Sequence, residues 1–338
     1  MGRAEMIRLD SCVPIRTRWQ AGEPLIDWCH MGTVPFREPF FEETIGAQLR
    51  KPANLLFQPQ TPLAAAEDWL ARHPPVPPTG FIFHISRCGS TLVSQMLAAS
   101  PRHIAISEAL PIDTVLRPER NPADLDDETR IRLLRAVIGG LGQPRSGDEE
   151  RLFIKFDCWH VLDLALIRRA FPTVPWLFLY RDPIEVLVSQ LKRRGVQTVP
   201  GMMPPQLFGI DFAAAVAMPP ADYCAQVLAE MCRAALEPCR NGEGLLVNYT
   251  ELPAALWTKV PAHFGVDWSP AERAAMAEVL QFDAKMPSFA FVPDAEEKRR
   301  LAPEPARLAA ARWLEPVYRE LEVLRLGAPA PSAFTSLA

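Results

Sequence analysis

The stretch Gly80-Phe-Ile-Phe-His-Ile-Ser-Arg-Cys-Gly-Ser-Thr-Leu-Val-Ser-Gln-Met-Leu-Ala-Ala-Ser100 decides the fold. Phe81 to Ile85 is an apolar run with β-branched residues and reads as a buried strand. The small residues Ser86 to Thr91 form a turn, and Leu92, Met96 and Leu97 then recur as one face of a helix. A strand, a tight turn and a helix N-terminus together make an anion cradle, because the first amides of the helix lack intrahelical partners. Arg87 adds a cation, Gly89 allows close backbone approach, and Ser90 and Thr91 add hydroxyl donors. The pattern is not Gly-x-x-x-x-Gly-Lys-Ser/Thr, since Ser90 follows Gly89 and no lysine lies in the turn.

Working outward, the chain of 338 residues is long enough for a full α/β core and an extra segment. A hydrophobic share of 49% is that of an ordinary globular protein. A net charge of −4 gives no electrostatic case for nucleic acid or an anionic membrane. No apolar run approaches the ~20 residues of a membrane span. Seven cysteines without a Cys-x-x-Cys pair fit a reducing, cytoplasmic setting. Cys158-x-His160 and Cys29-His30 lack matching ligand pairs, so no metal is expected. Cys224 and Cys232 share a stripe with Val227, Leu228 and Met231 and read as core thiols.

Alternation of strands and helices predicts a three-layer α/β fold with a central parallel sheet over residues 79–328. Expected strands are 104–106, 152–156, 176–180 and 244–249, with helices over 126–138, 159–170, 183–191, 252–264, 270–280 and 305–325. Residues 1–78 read as an irregular, aromatic-rich accessory segment with short helices. One of these starts at Thr61 as N-cap with Pro62 at the first helical position. His73 to Gly80, rich in proline, reads as a stiff linker. The Pro/Gly/Met-rich region 195–220 reads as a lid or surface loop.

Trp176 to Tyr180 delivers Arg181 at a strand's carboxyl end, the edge where open α/β sheets bind ligands. Arg87-x-Gly89-Ser90-Thr91 after a strand resembles the 5′-phosphosulfate loop of sulfotransferases that use 3′-phosphoadenosine-5′-phosphosulfate (PAPS). Arg181-Asp-Pro with Ser189 eight residues on resembles their 3′-phosphate motif. Glu108 lies 21 residues past Arg87 and Lys155 lies 26 before Arg181, spacings similar to the tyrosylprotein branch. Tyr249-Thr-Glu-Leu252 is similar to the family's Tyr-Glu-Asp-Leu near the nucleotide. Ser86 and Cys88 depart from the common Pro and Ser of the loop.

The resemblance implies transfer of a sulfuryl group from PAPS to an acceptor hydroxyl, leaving 3′,5′-phosphoadenosine (PAP). It implies Arg87, Cys88, Gly89, Ser90, Thr91, Arg181, Ser189 and Tyr249 at the nucleotide, and Glu108, Arg87 and Lys155 in catalysis. Asp157 and His160, just past Lys155, are rivals to Glu108 as the base; Asp157 stands where soluble sulfotransferases place a histidine. Lys298-Arg299-Arg300 is either a 3′-phosphate grip or a solvated charge run. A P-loop kinase and a non-catalytic nucleotide-binding protein are the alternatives. The acceptor and the oligomeric state are not written in the sequence.

Overall fold

The computed structural model describes residues 9–117, 122, 125–285, 288 and 295–327. The elements begin with strands β1 (Cys12–Gln20) and β2 (Glu23–His30), helices α1 (Phe41–Leu49) and α2 (Pro52–Leu56), strand β3 (Gln60–Pro62) and helix α3 (Leu63–Arg72). Then come β4 (Pro78–His84), α4 (Ser90–Ala98), β5 (His103–Ser107), α5 (Leu110–Leu116), α6 (Asp127–Leu141), β6 (Arg151–Lys155) and α7 (Leu164–Ala170). β7 (Trp176–Tyr180), α8 (Pro183–Lys192), α9 (Phe212–Ala217), α10 (Pro220–Arg240) and β8 (Gly244–Asn248) follow. The last are α11 (Lys259–Phe264), α12 (Pro270–Glu278), α13 (Ala295–Arg300), α14 (Glu304–Ala309) and α15 (Glu315–Leu326).

Strands β5-β6-β4-β7-β8 form, in that order, a five-stranded parallel sheet flanked by helices, the expected α/β architecture. By backbone proximity the chain divides into two compact units: 1–83, 90–176 and 261–291, and 84–89, 177–260 and 292–338. None of the described helices is long and apolar enough to cross a membrane.

In the first unit the core is aromatic. Phe83 stacks on Phe156 at 4.7 Å and Phe81 meets Phe156 edge-on at 5.2 Å. Each fully buried ring of this kind stabilises by about 1.5–3 kcal/mol. The N-terminal segment departs from the irregular structure expected of it, for β1, β2 and β3 form an antiparallel sheet. Ala21 and Gly22, both at positive φ, make the two-residue turn between β1 and β2. Asp27, 3% exposed, accepts from Arg16 at 2.8 Å, Arg18 at 2.9 Å and Gln60 at 2.9 Å, so one carboxylate ties three strands. Thr61 does not cap α3. It lies in β3, and its hydroxyl accepts from Trp28 Nε1 at 2.9 Å. The proline linker is fastened to the end of α6, through Gln143 to the His73 carbonyl at 2.8 Å and Val76 to the Gly142 carbonyl at 2.9 Å.

In the second unit α10 carries the predicted stripe: Cys224, Val227, Leu228, Met231 and Cys232 are all buried. Burial pushes the Cys224 thiol up to about 12, so it stays a neutral core group. All seven cysteines are buried, and none is in a disulfide. The 195–220 region, read as a lid or surface loop, contains short helical turns and α9.

Candidate active site

The turn from Ser86 to Thr91 owes its shape to three residues in the left-handed region: Ser86 at φ 68°, Arg87 at φ 53° and Gly89 at φ 87°. Left-handed backbone turns amides towards a common point, the geometry of an anion nest. The Ser86 amide donates to His84 Nδ1 at 2.9 Å, which fixes the entry of the turn. Cys88 is fully buried and its Sγ donates to the Leu179 carbonyl at 3.3 Å, so it serves the turn through its backbone. Ser90 and Thr91, both buried, are the first residues of α4 in the other unit.

Two motifs about a hundred residues apart meet directly in the second unit. Arg87 Nε donates to Ser189 Oγ at 2.9 Å. Ser189 projects from α8, which Asp182 caps by accepting the Glu185 amide at 3.0 Å, with Pro183 at the first helical position. Arg181, 6% exposed, lays its guanidinium 3.9 Å from the centre of the Tyr249 ring. Tyr249 in turn packs on Gly89, whose missing Cβ would lie 2.8 Å from Tyr249 Cδ2. The end of β8 before Tyr249 is held by buried Asn248, which donates to Tyr318 at 3.1 Å and Glu322 at 3.0 Å. Arg87 with Ser189, and Gly89 with Tyr249 and Arg181, thus form two contact sets anchored two residues apart on the same loop.

Glu185 is a member of this cluster that the sequence reading missed. It is 3% exposed and accepts from Arg181 Nε, while its other oxygen lies 3.1 Å from Arg299. The basic run Lys298-Arg299-Arg300, left open above, thus sends Arg299 to the carboxylate that holds Arg181. The spacing of 181 and 185 across a helix start was the available signal.

The first unit holds the predicted catalytic pair. β6 ends at Lys155, whose side chain is fully buried and lies 2.7 Å from Glu108 Oε1. The Glu108 amide donates to the Lys155 carbonyl at 2.8 Å, and Glu108 itself sits at φ 55°. A non-glycine residue held there is strained, a state typical of functional positions. Phe40, from the N-terminal segment, places its ring 5.1 Å from Lys155 Nζ.

Beside this pair His160 Nε2 donates to Asp113 Oδ1 at 3.1 Å, and its Nδ1 lies 3.9 Å from Asp157. Trp159 Nε1 also donates to Asp113, at 2.9 Å. Asp113 was not foreseen. It becomes visible only when α5 packs against the turn that carries His160. Burial pushes Asp157 up to about 7. Burial pulls His160 down, but Asp113 and Asp157 outweigh it and hold it above the usual range. Among the described residues these three form a compact polar group, and Asp113 occupies the ring nitrogen Nε2.

No family model and no curated protein matches this chain. Solved structures resemble it in outline. The sulfotransferase domain of the Synechococcus PCC 7002 olefin synthase shares 17% identity over 77% of this chain and 98% of its own, at a TM-score of 0.43. A sulfotransferase from Mycobacterium avium shares 12% over 74% and 81%, at 0.45. Retinol dehydratase in complex with androsterone and the inactive cofactor PAP shares 17% over 72% and 82%, at 0.37. None of these is similar enough to carry a residue's role across.

Proposed function

We propose that the chain is a PAPS-dependent sulfotransferase, with motif spacing closest to the tyrosylprotein branch, acting on an acceptor hydroxyl. The observation that carries this reading is the contact of Arg87 with Ser189, beside Arg181 on Tyr249 and Gly89. Residues that the resemblance assigns to one nucleotide, from separate motifs, occur together. The turn suits a phosphate: left-handed backbone, a glycine where a Cβ would collide with Tyr249, and two guanidinium groups in the same unit.

Bound PAPS would supply the sulfuryl group and a stable nucleotide leaving group. The amides of Cys88 to Thr91 and the Arg87 guanidinium would hold its 5′ end, and Arg181 and Ser189 its 3′-phosphate. Such pre-placed donors and cations stabilise charge that grows in the transition state. Glu108 would take the acceptor's proton, and Lys155, locked against it, would orient that carboxylate and add positive charge to the sulfuryl end. Phe40 over Lys155 places part of segment 1–78 at this pair, consistent with an accessory role in shaping the acceptor side. Buried cysteines outside any disulfide fit a reducing compartment.

Calorimetric titration with PAP, with ATP as comparator, tests the donor site; PAP should bind tightly and ATP weakly. Glu108→Gln should abolish PAPS turnover while PAP affinity stays within about twofold. Tighter binding of Mg-ATP than of PAP would favour a kinase, and retained turnover in Glu108→Gln would remove Glu108 from the base role.

A further inference from the structure

We propose that Asp157, packed in a buried group with His160 and Asp113, is a positioning residue that controls how strongly Glu108 attracts the acceptor's proton. The inference rests on the sulfotransferase reading above.

The geometry begins at the end of β6. Lys155 pairs with Glu108 at 2.7 Å, the Glu108 amide donates to the Lys155 carbonyl at 2.8 Å, and buried Asp157 follows two residues on, with the charges of both Glu108 and Lys155 acting on it. His160, 1% exposed, already has a structural partner in Asp113, itself fixed by Trp159 and faced by Arg117 at 3.9 Å. Asp157 is thus not needed to hold His160, and at 3.9 Å it lies beyond hydrogen-bond range of Nδ1. His160 Nδ1 has no hydrogen-bond partner among the described residues. Burying a carboxylate is costly, and at 3.9 Å Asp157 receives only attraction without a hydrogen bond from His160 in return.

The charges around Asp157 show what it can do. Burial is the largest influence and raises it. His160 and Lys155 pull it down, and Glu108 and Asp113 push it up. Asp163, which also faces His160, is itself 3.4 Å from Arg130. The balance leaves Asp157 changing charge near neutrality, while Asp113 is held below its usual range by His160, Trp159 and Arg117 against the opposing effect of burial.

When Asp157 ionises, a second negative charge stands beside Glu108 and competes with it for Lys155. Like charge raises a carboxylate's proton affinity, so Glu108 becomes the stronger base. In the transfer itself Glu108 takes the acceptor O–H proton as the acceptor oxygen bonds to sulfur. The S–O bond to the 5′-phosphate breaks, and its electron pair leaves with that phosphate. Asp157 exchanges no proton with the acceptor; it acts through Glu108.

The test is the pH profile of kcat/KM for PAPS with a panel of phenols and primary alcohols, read as PAP release, from about pH 5.5 to 9. Wild type should show a rising limb near neutrality. Asp157→Asn should lose that limb and stay near the acid-side rate, roughly tenfold below wild type on the alkaline side. His160→Gln should shift the limb to higher pH, because it removes the largest influence pulling Asp157 down. PAP affinity should stay within about twofold in both variants. An unchanged limb in Asp157→Asn, or loss of turnover at every pH as in Glu108→Gln, overturns the inference. So does a His160→Gln limb that moves to lower pH. A wild type that binds PAP but never turns over PAPS overturns the catalytic reading, and this one with it.

Discussion

Gly89→Ala probes the packing that joins the phosphate loop to the Arg181–Tyr249 pair. Gly89 has φ 87°, where an L-residue's Cβ crowds the following carbonyl and costs about 1–2 kcal/mol. An added Cβ would also lie 2.8 Å from Tyr249 Cδ2, 2.9 Å from Leu252 Cδ1 and 3.1 Å from Tyr249 Cε2. Real Cβ atoms do not sit that close, so the tyrosine must shift, and overpacking of this kind costs about 1–3 kcal/mol. The sum is roughly 2–5 kcal/mol. Gly22→Ala is the matched control: its φ is 83°, but nothing lies within 4 Å of the added Cβ. It should lose about 1–2 kcal/mol, from the backbone alone. Urea unfolding of both variants, followed by tryptophan fluorescence, isolates the packing contribution by difference. Displacing Tyr249 also moves the surface on which Arg181 rests, so PAP affinity should fall at least tenfold, or about 1.4 kcal/mol. Equal stability losses in the two variants, with PAP binding intact in Gly89→Ala, would refute the argument that Tyr249 is wedged against the loop.

Arg181→Ala should weaken PAP binding by roughly a hundredfold, as expected for removing a buried, charge-assisted phosphate contact of about 2–3 kcal/mol. Calorimetry that finds unchanged affinity would take Arg181 out of the nucleotide site. Glu272, 3% exposed, caps α12 through Ser269 and lies 2.6 Å from Arg151 and 3.0 Å from His103. Burial opposes its charge, yet Ser269, Arg151 and His103 outweigh it and hold the carboxyl down to about 2. Its pKa is lower folded than unfolded. Its contribution is therefore present above the ordinary carboxylate range and is lost as pH falls towards about 2. Glu272→Gln should be less stable at neutral pH and should flatten the acid limb of stability in denaturant titrations at several pH values.

Local signals carried much of this chain. The strand, turn and helix around Arg87 are contiguous in sequence, so apolar periodicity and small residues were enough to place those elements. Asp182-Pro183 and Asp126 stand at helix starts read from the sequence, and each caps its helix through its own side chain. The local signal failed at Thr61, because its hydroxyl found a better partner in Trp28, 33 residues away. It failed again in the N-terminal segment, where prolines obscured the strands. The hairpin there depends on the register of Arg16 and Arg18 against Asp27, a charge pairing that exists only across strands.

By itself, the sequence determined the α/β alternation, the strand, turn and helix around Arg87, and the second arginine at a strand end. Tertiary structure alone decided the strand order β5-β6-β4-β7-β8, the contact of Arg87 with Ser189, the hold of Glu185 on Arg181 and Arg299, and the burial of Asp157 beside His160 and Asp113. Turns and caps draw on neighbours within a few residues, whereas ion pairs, proton affinities and strand order arise between segments tens of residues apart that only folding brings together.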